Sequence, residues 1–301
     1  MTTTTGYSST FLSSEIPLPE RGIAPLAPNA PDAAGAVVRL DYVHFSILFD
    51  RGRRLAAATA VNIDGAGLVE IDRGDDWHFD GRLPEGDQTG PSVYAANDLD
   101  RGHLVRRRDP VWGSGPVAEQ ANFDTFSFTN AAPQAGEFNQ SKSLWLGLED
   151  YVLDYAARSD SRISVFTGPV LAADDPPYRG SGIPRLFWKI AAWMQPSELQ
   201  DAAGAVLAAT GYMLDQTPAL GELDLEEERR RAELAGDPPP LGPFRTFQVP
   251  IVDIAALTGL QFGPLVAADR LAAAPVPAEA EPLGGTRLRW REVAMRADLQ
   301  W

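Results

Sequence analysis

Near the middle of the chain, Asp100-Arg101-Gly102-His103 sets an imidazole two residues from a guanidinium, and Arg106-Arg107-Arg108 follows closely. The window 101–108 carries four positive charges and no acid, in a chain whose formal net charge is −15. Such a cluster makes a local anion site, because guanidinium forks match the oxygens of phosphates and carboxylates. Like charge disfavours the imidazolium, so His103 is expected to be neutral near pH 7. A neutral histidine can take a proton from water, which suits general-base work on an anionic ester.

A second group lies downstream: Asn130-Ala131-Ala132-Pro133-Gln134, then Phe138-Asn139-Gln140, then Glu149. Asp98-Leu99-Asp100 is the one DxD spacing and no ExxH occurs, so a tightly caged ion is not expected. Magnesium keeps several waters and needs only one or two protein oxygens plus substrate phosphate. The Asn139 carboxamide as single neutral ligand, with Glu149 holding one of the ion's waters, is physically sufficient. Asn130 and Gln134 are read as supporting groups, either satisfying backbone next to the site or orienting it.

Together these blocks resemble the DNA/RNA non-specific endonuclease family, the ββα-metal or His-Me finger nucleases. The family's DRGH, Asn-x-x-Pro-Gln, Asn-Gln, Trp and Leu-Glu elements appear in order as Asp100–His103, Asn130–Gln134, Asn139-Gln140, Trp145 and Leu148-Glu149. Thr167-Gly168-Pro169-Val170, Ile183-Pro184, Phe187-Trp188-Lys189, Phe247-Gln248-Val249 and Thr258-Gly259-Leu260 extend the likeness over roughly residues 40–262.

The resemblance implies an α+β, ββα-metal fold with a central, mostly antiparallel sheet flanked by helices. It implies His103 as the base that activates water, Asn139 as the magnesium ligand and Glu149 beside the ion's water. Arg101 then binds phosphate and Asp100 orients the loop. Arg73 corresponds to a second transition-state arginine, with Arg82 as its rival. Mg2+ is the implied cofactor, with Mn2+ as substitute, and DNA or RNA the substrate, cleaved to 5′-phosphate products. A homodimer is implied by analogy. Arg106, Arg107 and Arg108 are candidates for tracking the phosphate backbone. In one respect the sequence departs from the pattern: Asn139 and Glu149 are ten residues apart instead of eight. On an unbroken helix eight residues rotate about 80° and ten about −80°, so Glu149 reaches the ion only if the helix starts late or bulges.

Several elements must carry these residues. Residues 1–35, rich in Thr, Ser, Pro and Ala, form an extended, partly disordered or surface-laid arm. Residues 36–270 make the nuclease domain and 271–301 a C-terminal extension. Val37 to Phe49 reads as one strand containing His44, and Asp50-Arg51-Gly52 as a turn before a second strand, Ala57 to Ile63. Residues 64–97 are turn-rich. A helix is expected from Leu144 to about Arg158, and strands at Ile163–Thr167, Arg185–Trp193 and Ala205–Leu214. Asp253 is expected to cap a helix closed by Gly259. A charged insertion spans about 217–243 with a short helix at 222–235, and Thr286–Trp290 suggests an edge strand. His44 is expected to be a satisfied strand histidine and His78 a surface residue; Trp77, Trp112, Trp145, Trp188 and Trp193 are expected in the core.

Composition narrows the function classes. The 301 residues contain 26 Lys+Arg against 41 Asp+Glu, which argues against broad adhesion to polyanions but leaves room for a local basic cleft. With no cysteine, disulfides, thiolate metal sites and cysteine nucleophiles are excluded. No apolar run is long enough to cross a bilayer and no secretory leader opens the chain, so a cytoplasmic location with no membrane partner is expected. Two other classes compete with a free-running nuclease: an effector or toxin gated by a regulatory partner, and a silent nucleic-acid-binding scaffold.

Overall fold

A computed structural model describes residues 6–20, 37–135, 161–196, 204–217, 245–271, 282–283, 286–287 and 290–293. The chain opens with a meander of β1 (Val37–Tyr42), β2 (Phe45–Asp50) and β3 (Leu55–Asp64), each antiparallel to the next. The run expected as a single strand is therefore two. The chain reverses at Val43-His44, and His44 takes a positive φ of 66° that few non-glycine residues adopt. Its ring stacks on Trp112 with centroids 3.4 Å apart, and Nδ1 lies 2.8 Å from the Pro110 carbonyl. These contacts occupy the imidazole structurally, as expected for His44, but at a turn.

Further along come the short helix α1 (Pro91–Tyr94), β4 (Leu99–His103), α2 (Gly115–Thr125) and β5 (Ala131–Ala135). Strand β6 (Arg162–Pro169) returns to the meander, a two-residue pair β7 (Pro177–Tyr178) and β8 (Ser181–Gly182) follows, and β9 (Leu186–Pro196) and β10 (Ala205–Asp215) complete the centre. The last elements are β11 (Arg245–Val249), α3 (Ile251–Thr258), α4 (Pro264–Ala267), β12 (Pro282–Leu283), β13 (Thr286–Arg287) and β14 (Arg291–Glu292). Eight strands form one open sheet in the order β1-β2-β3-β6-β9-β10-β11-β14, and every neighbouring pair is antiparallel. The edge strand expected at Thr286–Trp290 is instead β14, just beyond it. The expected antiparallel sheet is present; the flanking helices are few and short among the described residues.

Both faces of the sheet are covered, and the period-2 alternation of side chains decides which residue faces which way. Ile47, Val61, Val165, Trp193 and Tyr212 point into one core with Leu104, Val105 and Ala132. Their neighbours Leu48, Ala60, Phe166 and Met213 point into the other, with Trp188 and Ile190 from β9 and with α3, α4, Tyr7, Leu12 and Ile16. The N-terminal residues 6–20 thus lie along the sheet with Tyr7, Leu12 and Ile16 buried and Phe11 and Leu18 half-buried against them. The insertion between β3 and β6 covers the first face and carries the DRGH and Asn-x-x-Pro-Gln blocks.

Helix α3 differs at its start from the sequence expectation. It begins at Ile251, whose amide donates to Asp269 Oδ2 at 2.8 Å, while Asp253 lies inside the first turn and accepts from the Trp290 indole at 2.9 Å. Gly259 closes it in the left-handed region at φ 68°, as expected. The helix expected from Leu144 and the charged insertion lie outside the described residues, apart from Thr217.

Candidate active site

The two motif blocks are one structural unit. Strand β4 pairs antiparallel with β5 so that Asp100 faces Gln134, Arg101 faces Pro133, Gly102 faces Ala132 and His103 faces Ala131. Cross-strand partners share a face of the ribbon. His103 and Arg101 therefore emerge together on the side where their partners on β5 are Ala131 and Pro133, leaving room for a ring and a guanidinium. Asp100 and Gly102 occupy the opposite side, where the long Gln134 side chain lies across the glycine. A Cβ on Gly102 would come within 2.0 Å of Gln134 Cδ, so the glycine of the motif is required by a close approach and not by its φ.

Asn130 locks the stretch after His103. Its Nδ2 donates to the Val105 and Thr125 carbonyls, both at 2.9 Å, and its Oδ1 accepts from the Val105 amide at 2.9 Å. Its own carbonyl accepts from Leu104 N at 3.0 Å. Fully buried, it satisfies backbone next to the site and ties it to the end of α2.

His103 is walled by aromatic rings: Trp77 at 4.7 Å and Phe126 edge-on at 5.1 Å between centroids. Its Nε2 is buried and has no hydrogen-bond partner. Burial, then the positive charges of Arg73, Arg107 and Arg101, push the imidazole down to about 3, so the ring is neutral at physiological pH.

Among the arginines, Arg73 is exposed, makes no ion pair with another described residue, and acts strongly on His103. Its rival Arg82 is committed elsewhere: it forks onto Asp80, lies 4.6 Å above the Tyr42 ring and bonds the Asp41 carbonyl at 2.9 Å. Arg101 lies 5.3 Å from the Trp77 ring and 3.8 Å from Asp75. Arg106 is buried, Arg107 donates to the Ile71 carbonyl at 2.9 Å and to Asn122 Oδ1 at 3.1 Å, and Arg108 pairs with Glu70.

The structure thus brings His103, Arg101, Arg73 and Arg107 together, with Asn130 clamping the residues that follow His103, and sets Asp100 and Gln134 on the opposite side of the ribbon. Asn139 and Glu149 lie outside the described residues. Sequence reasoning missed Trp77, placed in the core; it is only partly buried and belongs to the site. Trp112 is likewise partly exposed, whereas Trp188 and Trp193 are buried as expected. No spacing rule links Trp77 to His103, because the two meet through an irregular loop.

A neutral imidazole among arginines, presented above an open antiparallel sheet, defines a centre built to receive an anion. Residues 24–269 match the model of the DNA/RNA non-specific endonuclease family, and the chain belongs to that family. It is 42% identical over 270 residues to the uncharacterized protein y4fB of Sinorhizobium fredii, covering 85% of this chain and 38% of that one. It is 25% identical over 205 residues to mitochondrial endonuclease G of Bos taurus (64% of this chain, 57% of the relative) and 27% over 187 residues to that of Homo sapiens (58% and 52%). The chain therefore spans between about two fifths and three fifths of the length of these relatives. Its fold is similar to a chain of the EndoG/EndoGI complex, with a TM-score of 0.50 at 18% identity over 74% of this chain and 84% of that one.

Proposed function

We propose that the chain is a metal-dependent, non-specific endonuclease that hydrolyses phosphodiester bonds of DNA and RNA to 5′-phosphate products. One observation carries this reading: His103, neutral and with an unbonded Nε2, shares a strand face with Arg101 and lies under the field of Arg73. The imidazole accepts a proton from the attacking water, and burial keeps it from being protonated beforehand. Arg101 and Arg73 bind the non-bridging oxygens and neutralise charge that grows as phosphorus is attacked. Arg107 adds to the positive potential through its charge, while a phosphate reaching Arg108 must displace Glu70. Asn130 and Gln134 hold the ribbon. Because these contacts address phosphate, sequence preference is weak.

Among the described residues no three His, Asp or Glu side chains converge on one point. An ion that keeps most of its waters and relies on few protein oxygens and the substrate phosphate needs no such cluster. Asn139, with Glu149 near the ion's waters, would hold it. A bound Mg2+, or Mn2+ in its place, would supply charge neutralisation at the phosphate and assist departure of the 3′ oxygen.

Digestion of plasmid DNA and of RNA tests the reading. Cleavage is expected with Mg2+, lost with EDTA and lost in His103→Ala. Activity that survives His103→Ala overturns the mechanism, and a wild-type protein inert with every divalent metal overturns the enzyme assignment.

A further inference from the structure

Resting on the proposed role of His103, we propose that Trp77 is a positioning residue whose indole seats the His103 ring and the Arg101 guanidinium against one surface, so that both meet the same phosphate. Its ring is 4.7 Å from His103 and 5.3 Å from the Arg101 guanidinium carbon. The indole is held from behind by Phe126 at 5.5 Å, nearly perpendicular, and by Phe128 at 5.8 Å. Phe126 also packs on His103, which closes a three-ring box.

The backbone fixes where the indole sits. His78 N donates to the Phe126 carbonyl at 3.1 Å and Phe128 N to the His78 carbonyl at 2.9 Å, so the residue after Trp77 is stitched to the segment between α2 and β5. Upstream, Leu68 pairs with Trp112, and Val69 N donates to the Val111 carbonyl at 3.0 Å. Between these anchors the stretch Glu70–Asp76 has no regular structure and mostly exposed side chains. Within it Arg107 holds the Ile71 carbonyl and Arg108 pairs with Glu70, and the indole is the apolar contact that seats the end of the loop against His103 and Arg101.

Arg101 needs such a contact. It is about two-fifths exposed, and its nearest carboxylate, on Asp75, is 3.8 Å away and largely solvated, a pair too weak to fix a long side chain alone. A guanidinium above an indole is attracted by the ring quadrupole and restricted in plane. The same indole shields His103 from water. Among the described residues the charged groups acting on that histidine are Arg73, Arg107 and Arg101, all cationic, so removing the ring admits water without adding a carboxylate.

The test compares wild type with Trp77→Phe, Trp77→Leu and Trp77→Met, the last keeping apolar volume without a ring. NMR titration of the His103 imidazole, assigned with His103→Gln, reports seating independently of catalysis. Its midpoint should rise on the order of one pH unit in the Leu and Met variants as the ring becomes solvated, and stay near wild type in Trp77→Phe. For plasmid cleavage, kcat/KM should fall about two- to fivefold in the ringless variants, as for loss of a half-exposed cation–π contact. Combining Trp77→Met with Arg101→Gln should then cost less than the product of the single losses. An unmoved titration midpoint, a Phe variant as impaired as Met, or full additivity with Arg101→Gln overturns the inference. An inactive wild type overturns the nuclease reading instead, and the titration still decides the seating.

Discussion

Replacing Gly102 by alanine tests how tightly the strand that carries Arg101 and His103 is held. The new Cβ would lie 2.0 Å from both Cδ and Oε1 of Gln134 and 2.6 Å from its Cγ. Ordinary carbon contacts begin near 3.5 Å, so something must move by roughly 1.5 Å. The amide end of a glutamine is flexible, but Gln134 is 2% exposed and has little free space to swing into. Either Gln134 is driven against its neighbours or β4 separates from β5. Overpacking of this kind costs about 1–3 kcal/mol, which lowers the melting temperature by roughly 2–5 °C in a chain of this size. Because Arg101 and His103 flank the glycine, a shift of the strand also misaligns both, and about 1 Å of misplacement can cost up to ~100-fold in rate. Circular dichroism melts and plasmid cleavage read the two effects. The decisive control is Gly102→Ala/Gln134→Ala, which removes the colliding side chain and should recover most of the lost stability and activity, a coupling of about 1 kcal/mol or more. A Gly102→Ala protein that melts and cleaves like wild type, or a double variant no better than the single, refutes the close-approach argument.

The site yields three further expected outcomes. The His103 imidazole titrates far below its unfolded value of 6.5, at about 3, so the unfolded chain binds the extra proton and stability should fall as pH drops from about 6.5 toward 3; His103→Gln should flatten that fall in urea midpoints. By the same shift the acid limb of kcat/KM should lie well below pH 6.5, and a limb centred at 6.5 would contradict the buried, neutral base. Asn130→Ala strands Val105 N, Val105 O and Thr125 O, costing about 2–4 kcal/mol in urea unfolding; Asn130→Asp keeps only the acceptor and should be no better. If Arg73 and Arg101 each neutralise one phosphate, affinity for DNA should fall about tenfold between 50 and 200 mM salt, and a flat response would deny phosphate-dominated binding.

What was legible in the sequence depended on how local each feature is. Strands β6, β9 and β10 announced themselves through apolar runs, although β6 continues through Gly168 and Pro169, and Gly259 announced itself through its position after a periodic segment. The break at His44 was hidden because the turn carries Val43 and a histidine in place of glycine or asparagine, and because its strain is offset by a distant partner, Trp112. The cap of α3 was misread for a similar reason: the acceptor for Ile251 N is Asp269, eighteen residues away. At the site, the DRGH stretch drew attention through charge and imidazole in one window, and β4 does place His103 and Arg101 on one face. Trp77 gave no such signal, since its contacts with His103 and Arg101 arise from a loop without periodicity.

The alternation of β4 and β5 explains why both motif blocks are needed and why neither does the other's work. On one face, Ala131 and Pro133 are short, so His103 and Arg101 can stand up from the ribbon toward Trp77. On the other, Gly102 leaves the space that Gln134 fills as it crosses diagonally, and Asp100 lies beside that same glutamine. The Asn-x-x-Pro-Gln block is thus the mould of the DRGH block, with its first residue clamping Leu104 and Val105 and its last filling the space above the glycine. A larger residue at position 131 or 133 would crowd the catalytic face just as alanine at 102 crowds the packed one. The site in this acidic chain is therefore set by steric complementarity first. Charge acts within about one Debye length of it, some 8 Å at physiological salt: Arg73, Arg107 and Arg101 act on His103, while Asp75 and Glu70 lie beside Arg101 and Arg108.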